Sequence, residues 1–205
     1  MIRIYLVRHG IAAEPADVPF LDDASRPLTD KGRHRFQRLA RAFARLGEAP
    51  DFLFTSPLVR AVQTAEILAG ALDLGDVQVL PDLRPEGSLG RLLAEVGRRV
   101  KDEQGVALVG HDPLMSQLVS ALGDLAKEQA AKVEFRKGSI VRIDVGALPS
   151  GRPSQPRWWM RPRTRTLEKG LPLKVDKPAK AKKPAKEPKE PAKAPAAKKD
   201  GPTEA

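Results

Sequence analysis

The chain of 205 residues lacks cysteine and has no long apolar run. The absence of cysteine excludes disulfides, thiolate catalysis and cysteine-based metal sites. No apolar stretch approaches the roughly 20 residues that a membrane-spanning helix needs. The amino terminus leads directly into an apolar strand, without the charged and apolar regions of a signal peptide. We therefore expect a soluble, cytoplasmic protein with no membrane span.

The carboxyl-terminal end has the composition of a disordered segment. From residue 170 to residue 205 the sequence is almost entirely Lys, Pro, Ala and Glu, without an aromatic residue. Such a segment buries too little apolar surface to offset the entropy lost on ordering. We predict one folded domain over residues 1–165 and a disordered basic tail over residues 166–205.

The charge of the chain is strongly positive, at +10 from 36 Lys and Arg against 26 Asp and Glu. Residues 170–205 hold ten Lys and five acidic residues, which gives +5 and accounts for half of that charge. A basic tail is attracted to anionic partners such as nucleic acid, an anionic membrane or an acidic protein. A solubilising extension without a specific partner is the alternative interpretation.

A short motif at the end of an apolar run near the amino terminus reads Leu6-Val7-Arg8-His9-Gly10. The β-branched residues before it are typical of a buried strand, and Gly10 lets the backbone turn sharply. Ligands of open α/β sheets gather beyond the carboxyl ends of the strands. The motif therefore places Arg8 and His9 where a functional site is expected.

The first predicted helix follows Thr29, which can cap its amino terminus, and Gly47 ends it. Most arginines of this segment lie on the side of the helix away from its apolar residues, which predicts a solvated face. His34 lies among these arginines and is interpreted as a surface residue. The apolar residues recur at helical spacing, which predicts one apolar face: Phe36, Leu39, Ala40, Phe43 and Leu46.

Two further strand-to-helix junctions carry polar side chains. In the first, a short apolar strand meets Ser56 as the predicted N-cap and Pro57 as the first helical residue, which puts Arg60 in the first helical turn. In the second, a buried strand ends at His111, and the next helix is predicted to begin at Asp112 and Pro113. Two of the three histidines of the chain thus follow strands.

Further strands are predicted at residues 78–80, 139–145 and 157–160, and the last two are expected to form an antiparallel hairpin. The alternation of strands and helices predicts a single three-layer α/β/α domain with a mostly parallel central sheet. Trp158 and Trp159 are interpreted as part of a terminal strand that packs on the sheet, with a stacking platform for bases as the alternative.

Two histidines and two arginines at such junctions suit phosphate chemistry. The guanidinium groups of Arg8 and Arg60 match phosphate oxygens and keep their charge near neutral pH. A neutral imidazole can attack phosphorus, while a second imidazole donates to oxygens that gain charge. Because Arg and His supply the positive charge, we expect neither a metal ion nor another cofactor.

The Arg8-His9-Gly10 motif, the block at residues 56–65 and Gly110-His111 together resemble the histidine phosphatase superfamily, also called the phosphoglycerate mutase-like fold. Within it, residues 26–32, 80–85 and 159–162 are similar to small SixA-type phosphohistidine phosphatases. The resemblance covers roughly residues 1–162. Larger relatives carry a cap-forming insertion between the second and third blocks, so the short interval here implies an open site.

The resemblance implies a role for each matched residue. His9 would be the nucleophile that becomes phosphorylated, and Arg8, Arg60, His111 and Gly10 would bind the substrate phosphoryl group. The implied reaction is the removal of phosphate from a phosphohistidine-bearing signalling or phosphorelay protein by a monomeric enzyme. It has two steps, and water hydrolyses the phosphohistidine enzyme intermediate.

Many members of the superfamily use a glutamate to protonate an alkoxide leaving group, and Glu86 is the nearest candidate here. Its surroundings, Arg84-Pro85-Glu86-Gly87-Ser88, are similar to the SixA-type segment rather than to the acid-bearing motif. An imidazole leaving group lessens the need for such an acid. The sequence therefore favours cleavage of a nitrogen–phosphorus bond over cleavage of a phosphoester.

Three other functions remain as alternatives. A phosphatase of small phosphoesters or phosphoanhydrides would use the same site. A phosphoglycerate mutase is disfavoured, because residues 11–14 here replace the Ser and Asn segment that grips the glycerate in mutases. A binding protein that acts through its basic tail belongs to a different class, and the intact set of four site residues argues against a scaffold without activity.

Overall fold

A computed structural model describes residues 1–123, 125, 127–130, 132–149, 154 and 156–170. The disorder predicted for residues 171–205, and any partner of that part of the basic tail, lie outside the described residues.

A central sheet of seven strands has the order β3-β2-β4-β1-β5-β6-β7 in the described part of the chain. Parallel pairing joins β3 to β2, β2 to β4 and β4 to β1, whereas β5, β6 and β7 are added by antiparallel pairing. The strands are β1 (Ile2–Arg8), β2 (Phe52–Thr55), β3 (Gln78–Val79), β4 (Gly105–Gly110), β5 (Ile140–Val145), β6 (Trp158–Met160) and β7 (Leu167–Glu168).

Helices cover both faces of this sheet, which confirms the predicted α/β/α class. The helices divide the core into one apolar cluster on each face of the sheet, and the side chains of β1 alternate between the two. Tyr5 and Val7 lie in the cluster that α1 and α2 cover, while Ile4 and Leu6 lie in the cluster that α3 and α4 cover. All four side chains are fully buried. The helices are α1 (Asp30–Ala44), α2 (Val59–Leu72), α3 (Leu89–Arg99), α4 (Leu114–Leu122) and the short α5 (Lys127–Ala130).

The sequence-based prediction for α1 is confirmed at its amino terminus. The hydroxyl of Thr29 accepts a hydrogen bond from the backbone N–H of Gly32 at 2.9 Å, as an N-cap side chain does. Phe36, Leu39 and Phe43 face the core, and His34 is exposed. The helix ends at Ala44, and Gly47 follows with a φ of +68°, a conformation that glycine adopts without strain.

The predicted starts of the next two helices are each too early. Helix α2 begins at Val59 with Leu58 as its N-cap, so Ser56 and Pro57 precede it. The Ser56 hydroxyl is hydrogen-bonded to Nε2 of His111, and the N–H of Val59 donates to the carbonyl of Ala24 at 2.9 Å. Helix α4 begins at Leu114, while the Asp112 side chain bonds to Ser116 and Arg8.

The antiparallel hairpin of β5 and β6 is confirmed, and both tryptophans of β6 are buried. Trp158 packs against Tyr5 and Phe43 with ring centroids 6.2 and 6.0 Å apart, so it is part of the core. The sheet extends further than the predicted boundary at residue 165, because β7 pairs with β6. Residues 167 and 168 of the expected tail thus lie in a strand, which sequence composition alone did not indicate.

Helices long and apolar enough to cross a membrane are absent from the part of the chain that the structure describes.

Candidate functional site

Strand register brings the polar residues to one edge of the sheet. Arg8 at the end of β1 lies opposite Gly110 at the end of β4, and β2 ends beside the same strand. The backbone N–H groups of His9 and Ser56 then donate to β4 carbonyls at 3.0 and 2.9 Å. His9, Ser56 and His111 are therefore the first residues beyond three adjacent parallel strands, the position where ligands bind in open α/β sheets.

The two histidines face each other, with ring centroids 4.9 Å apart. His9 is 6% exposed, and its Nδ1 lies 2.6 Å from the carbonyl oxygen of Gly10. A carbonyl only accepts hydrogen bonds, so Nδ1 carries the hydrogen and Nε2 keeps its lone pair. That nitrogen of His9 is the one able to act as a nucleophile.

Ser56 holds the second histidine. The Nε2 atom of His111 lies 2.9 Å from the Ser56 hydroxyl, which in turn accepts from the N–H of Leu58 at 3.3 Å. His111 is 2% exposed, and its Nδ1 is buried without a partner among the described residues. An unpaired buried polar atom costs about 1–3 kcal/mol, so a ligand or a water molecule can satisfy Nδ1 of His111 at this position.

Burial and nearby positive charge keep both imidazoles neutral. Burial lowers the pKa of His9 to about 2, with further lowering by His111, Arg60 and Arg8. Burial, together with Arg60, lowers the pKa of His111 to about 3, although the carboxylate of Asp23 opposes this. Since both values lie well below 7, both rings are uncharged at neutral pH when no anion is bound.

Arg60 lies in the first turn of α2, as predicted, and is 5% exposed. Its guanidinium donates to the backbone carbonyl of Asp23 at 2.6 Å and to the Asp23 carboxylate at 2.9 Å. Hydrogen bonds from Arg26 and Arg60 lower the pKa of Asp23. The buried guanidinium is thus held at the amino-terminal end of a helix, where the helix dipole also favours an anion.

Arg8 is the last residue of β1 and directly precedes His9. Its Nη1 donates to the carboxylate of Asp112 at 2.8 Å and to the carbonyl of Phe135. Its Nε is buried and has no partner among the described residues. Nε of Arg8 and Nδ1 of His111 thus both lack a protein partner within the described part of the chain.

Thr64 joins the strand end to helix α2. Its hydroxyl accepts from the N–H of Gly10 at 3.0 Å and donates to the carbonyl of Arg60 at 2.6 Å, one turn earlier in the helix. Both bonds are buried. Thr64 thereby fixes the backbone that carries His9 relative to the backbone that carries Arg60.

The structure brings together Arg8, His9, Gly10, Arg60 and His111 from three separate parts of the sequence. Glu86 is exposed in the turn before α3, and its side chain has no hydrogen bond or ion pair in the described part of the chain. Its role as an acid stays a prediction. Clusters of three or more side chains suited to hold a metal ion are absent from the described residues.

Sequence reasoning missed four supporting residues. Asp112 and Ser56 were interpreted as helix caps, although their side chains contact Arg8 and His111. Thr64 lies four residues after Arg60, and this helical spacing could have placed it on the same face. Asp23 lies in an irregular loop, and its only signal is a pair of acidic residues shortly before Arg26.

Comparisons with known proteins agree on one family. The model of the histidine phosphatase superfamily, branch 1, matches residues 4–93. An uncharacterized protein of Picosynechococcus sp. is 38% identical over 148 residues, which are 71% of this chain and 87% of that protein. The phosphohistidine phosphatase SixA of Escherichia coli is 31% identical over 125 residues, which are 59% of this chain and 74% of SixA.

The fold is also similar to a solved structure of the protein histidine phosphatase SixA complexed with tungstate. The two chains superpose with a TM-score of 0.65 at 25% identity, over 78% of this chain and 97% of the SixA chain. The similarity therefore spans nearly the whole of that protein.

Proposed function

Because the chain belongs to the histidine phosphatase superfamily and is a phosphatase, we propose that it removes phosphate from a phosphohistidine side chain of a signalling or phosphorelay protein. The similarity to SixA, a phosphohistidine phosphatase, supports this substrate class. Tungstate, an oxyanion similar to phosphate, is the ligand in the SixA structure.

The carboxyl groups near the site favour phosphohistidine over a phosphate ester as the substrate. The two carboxylates at its rim, Asp23 and Asp112, both form ion pairs with arginines, and Glu86 is exposed in a turn. Hydrogen bonds from Arg26 and Arg60 lower the pKa of Asp23, so its carboxylate does not donate a proton near neutral pH, and the Asp112 carboxylate is already hydrogen-bonded to Arg8 and Ser116. An alkoxide leaving group requires a proton donor, whereas the imidazole of phosphohistidine leaves without one when its other nitrogen is protonated.

In the first step, Nε2 of His9 attacks phosphorus from the buried side of the pocket. A new nitrogen–phosphorus bond forms as the bond between phosphorus and the substrate imidazole breaks, and the electron pair goes to the substrate ring. The guanidinium groups of Arg8 and Arg60 hold the phosphoryl oxygens. The hydrogen bond from Nδ1 to the Gly10 carbonyl keeps the nucleophilic ring oriented.

His111 donates to the same oxygens through Nδ1. In the tautomer that this step requires, the Ser56 hydroxyl donates its hydrogen to Nε2 of His111 and accepts from the Leu58 N–H, so the hydrogen of that ring lies on Nδ1. In the second step, water attacks the phosphorus on His9, the nitrogen–phosphorus bond breaks, and the electron pair returns to Nε2. Orthophosphate is released and carries the proton lost by the water.

Neither step requires a metal ion, because two fixed guanidinium groups and a helix amino terminus supply the positive charge. The test is hydrolysis of a phosphorylated histidine-containing domain in the presence of EDTA. Wild type should release phosphate and His9→Ala should not. Retained activity of His9→Ala would overturn the assignment of the nucleophile.

The same assay with sugar phosphates, nucleotides and pyrophosphate distinguishes the phosphohistidine substrate from small phosphoesters and phosphoanhydrides. A higher kcat/KM for phosphohistidine supports the proposal. A higher kcat/KM for a small phosphate ester would assign the chain to that second class, with the same site residues.

A further inference from the structure

Asp23 lies at the rim of the phosphate pocket, and the two proposed reaction steps give it no role in contacting the substrate. Its side chain is 63% exposed, although it bonds to a guanidinium that is only 6% exposed, that of Arg60. The Asp23 carboxylate therefore lies on the solvent side of the buried arginine. It also lies close enough to His111 for its charge to act on that ring.

The hydrogen bonds of Asp23 leave part of its carboxylate free. Oδ1 accepts from Nε and Nη2 of Arg26 at 3.0 and 2.6 Å, while Oδ2 accepts from Arg60 at 2.9 Å. A carboxylate has about four acceptor positions, so one position on Oδ2 remains. Arg26 and Arg60 thus hold the Asp23 carboxylate in position and in its charged form, and one acceptor position remains for a further hydrogen bond.

The leaving group must depart on the side of the pocket where Asp23 lies. His9 is buried, and its Nδ1 is bonded to the Gly10 carbonyl, so the attacking Nε2 approaches phosphorus from the protein interior. In an in-line displacement the leaving atom lies opposite the attacking atom. The leaving group therefore points to solvent, past the exposed rim that carries Asp23.

We propose that Asp23 is a specificity-determining residue, which accepts a hydrogen bond from the protonated far nitrogen of the substrate imidazole. This inference rests on the proposed phosphohistidine substrate and names what selects it. The far nitrogen of the ring keeps its proton throughout the step. The phosphorus–nitrogen bond breaks, its electron pair goes to the ring, and the imidazole leaves in its neutral form.

The same carboxylate disfavours phosphate esters. A phenolate or alkoxide leaving group gains negative charge as its bond to phosphorus breaks, and a fixed carboxylate nearby repels that charge. Asp23 thus acts in opposite directions on the two substrate classes. A residue that only held Arg60 in place would affect both classes equally.

Asp22 provides a matched control for a change at Asp23. It is the preceding residue of the same exposed loop, and its carboxylate accepts from the backbone N–H of Ser25 at 2.7 Å. Asp22→Asn and Asp23→Asn remove the same charge one residue apart. Only the second removes a carboxylate that is bonded to Arg60.

The experiment measures kcat/KM of wild type, Asp23→Asn, Asp23→Glu and Asp22→Asn for phosphoimidazole and for p-nitrophenyl phosphate. In Asp23→Asn the ratio of the two values should fall about tenfold, the scale of one charge-assisted hydrogen bond. Asp23→Glu, which keeps the charge, should retain most of the wild-type ratio. Asp22→Asn should have the wild-type ratio.

An equal loss for both substrates in Asp23→Asn would overturn the inference and would make Asp23 a residue that only positions Arg60. A similar fall of the ratio in Asp22→Asn would also overturn it, because a general charge effect would then suffice. The wild-type measurement tests the proposed function separately. A wild-type protein that hydrolyses p-nitrophenyl phosphate but not phosphoimidazole would contradict that function.

Discussion

His9 and His111 face each other across the carboxyl ends of β1 and β4, with ring centroids 4.9 Å apart. Both rings are almost completely buried, and each has one nitrogen bonded to a protein group. Their opposed nitrogens, Nε2 of His9 and Nδ1 of His111, remain for a ligand. Attack on phosphorus and donation to its oxygens can thus come from two rings that the sheet holds in one place.

The pH dependence of stability should report the buried neutral histidines. Because the folded-state pKa of His9 is lowered to about 2, the unfolded chain binds an extra proton below about pH 6.5. The free energy of unfolding should therefore fall as pH falls, by at most about 1.4 kcal/mol per pH unit for each such histidine. Urea unfolding between pH 7 and pH 4 measures this slope.

His9→Gln should reduce that slope, because only the contribution of His111 remains, and the same change at the exposed His34 is the control for the loss of an imidazole. If His9→Gln and wild type lost stability in parallel on acidification, the neutral buried state of His9 would be refuted.

Ser56→Ala should lower kcat about tenfold, the scale of one hydrogen bond, and change KM less, because it frees the His111 ring whose Nε2 lies 2.9 Å from the Ser56 hydroxyl. It should also cost about 1–3 kcal/mol of stability, since the buried Nε2 loses its partner. Ser120→Ala is the control, because the one hydrogen bond of the Ser120 hydroxyl within the described residues goes to the carbonyl of Ser116 in the same helix, α4. Equal kcat values for the two variants would contradict the role of Ser56.

Gly32→Ala should destabilise the domain by about 2 kcal/mol, because the added Cβ would collide with the carbonyl group of Ile11. The loop after the nucleophile would have to shift. Gly70→Ala has the opposite expected sign: no atom lies within 4 Å of the added Cβ, and alanine stabilises a helix interior by about 0.5–1 kcal/mol. Thermal unfolding of both variants checks this pair, and a stable Gly32→Ala would show that the contact between α1 and residue 11 is loose.

A chain that ends after residue 170 should hydrolyse a small substrate at the wild-type rate, because all described site residues are retained. A chain that ends after residue 165 loses β7 and the ion pair of Glu168 with Arg161 at 2.5 Å. We expect its Tm to be lower by about 2–4 °C, as for a loss of about 1 kcal/mol in a domain of this size. Identical Tm values for the two truncated chains would show that β7 contributes nothing to the domain.

Much of this site could be predicted from the sequence because its main residues follow regular elements. The strands before His9 and His111 are short, continuous apolar runs, and the parallel arrangement then brings their ends together. Arg60 was placed in a first helical turn by Pro57, even though α2 begins two residues later than that proline indicated.

The rest depended on contacts between distant parts of the chain. The Ser56 hydroxyl bonds to a residue 55 positions away, and Asp23 to one 37 positions away. Local propensity carries no information on such pairs. Strand β7 was missed for a related reason, since two residues of a polar segment become a strand only where β6 offers an edge.

Whether His9 is the nucleophile is measured by the site at which the enzyme becomes phosphorylated during turnover. Wild type is mixed with a domain that carries ³²P-phosphohistidine, quenched in alkali within milliseconds, and digested for peptide mapping. We expect a label that is stable in alkali and labile in acid on the peptide that contains His9, and no such label in His9→Ala. A label on another residue, or full turnover without any labelled enzyme, would contradict the assignment of His9 as the nucleophile.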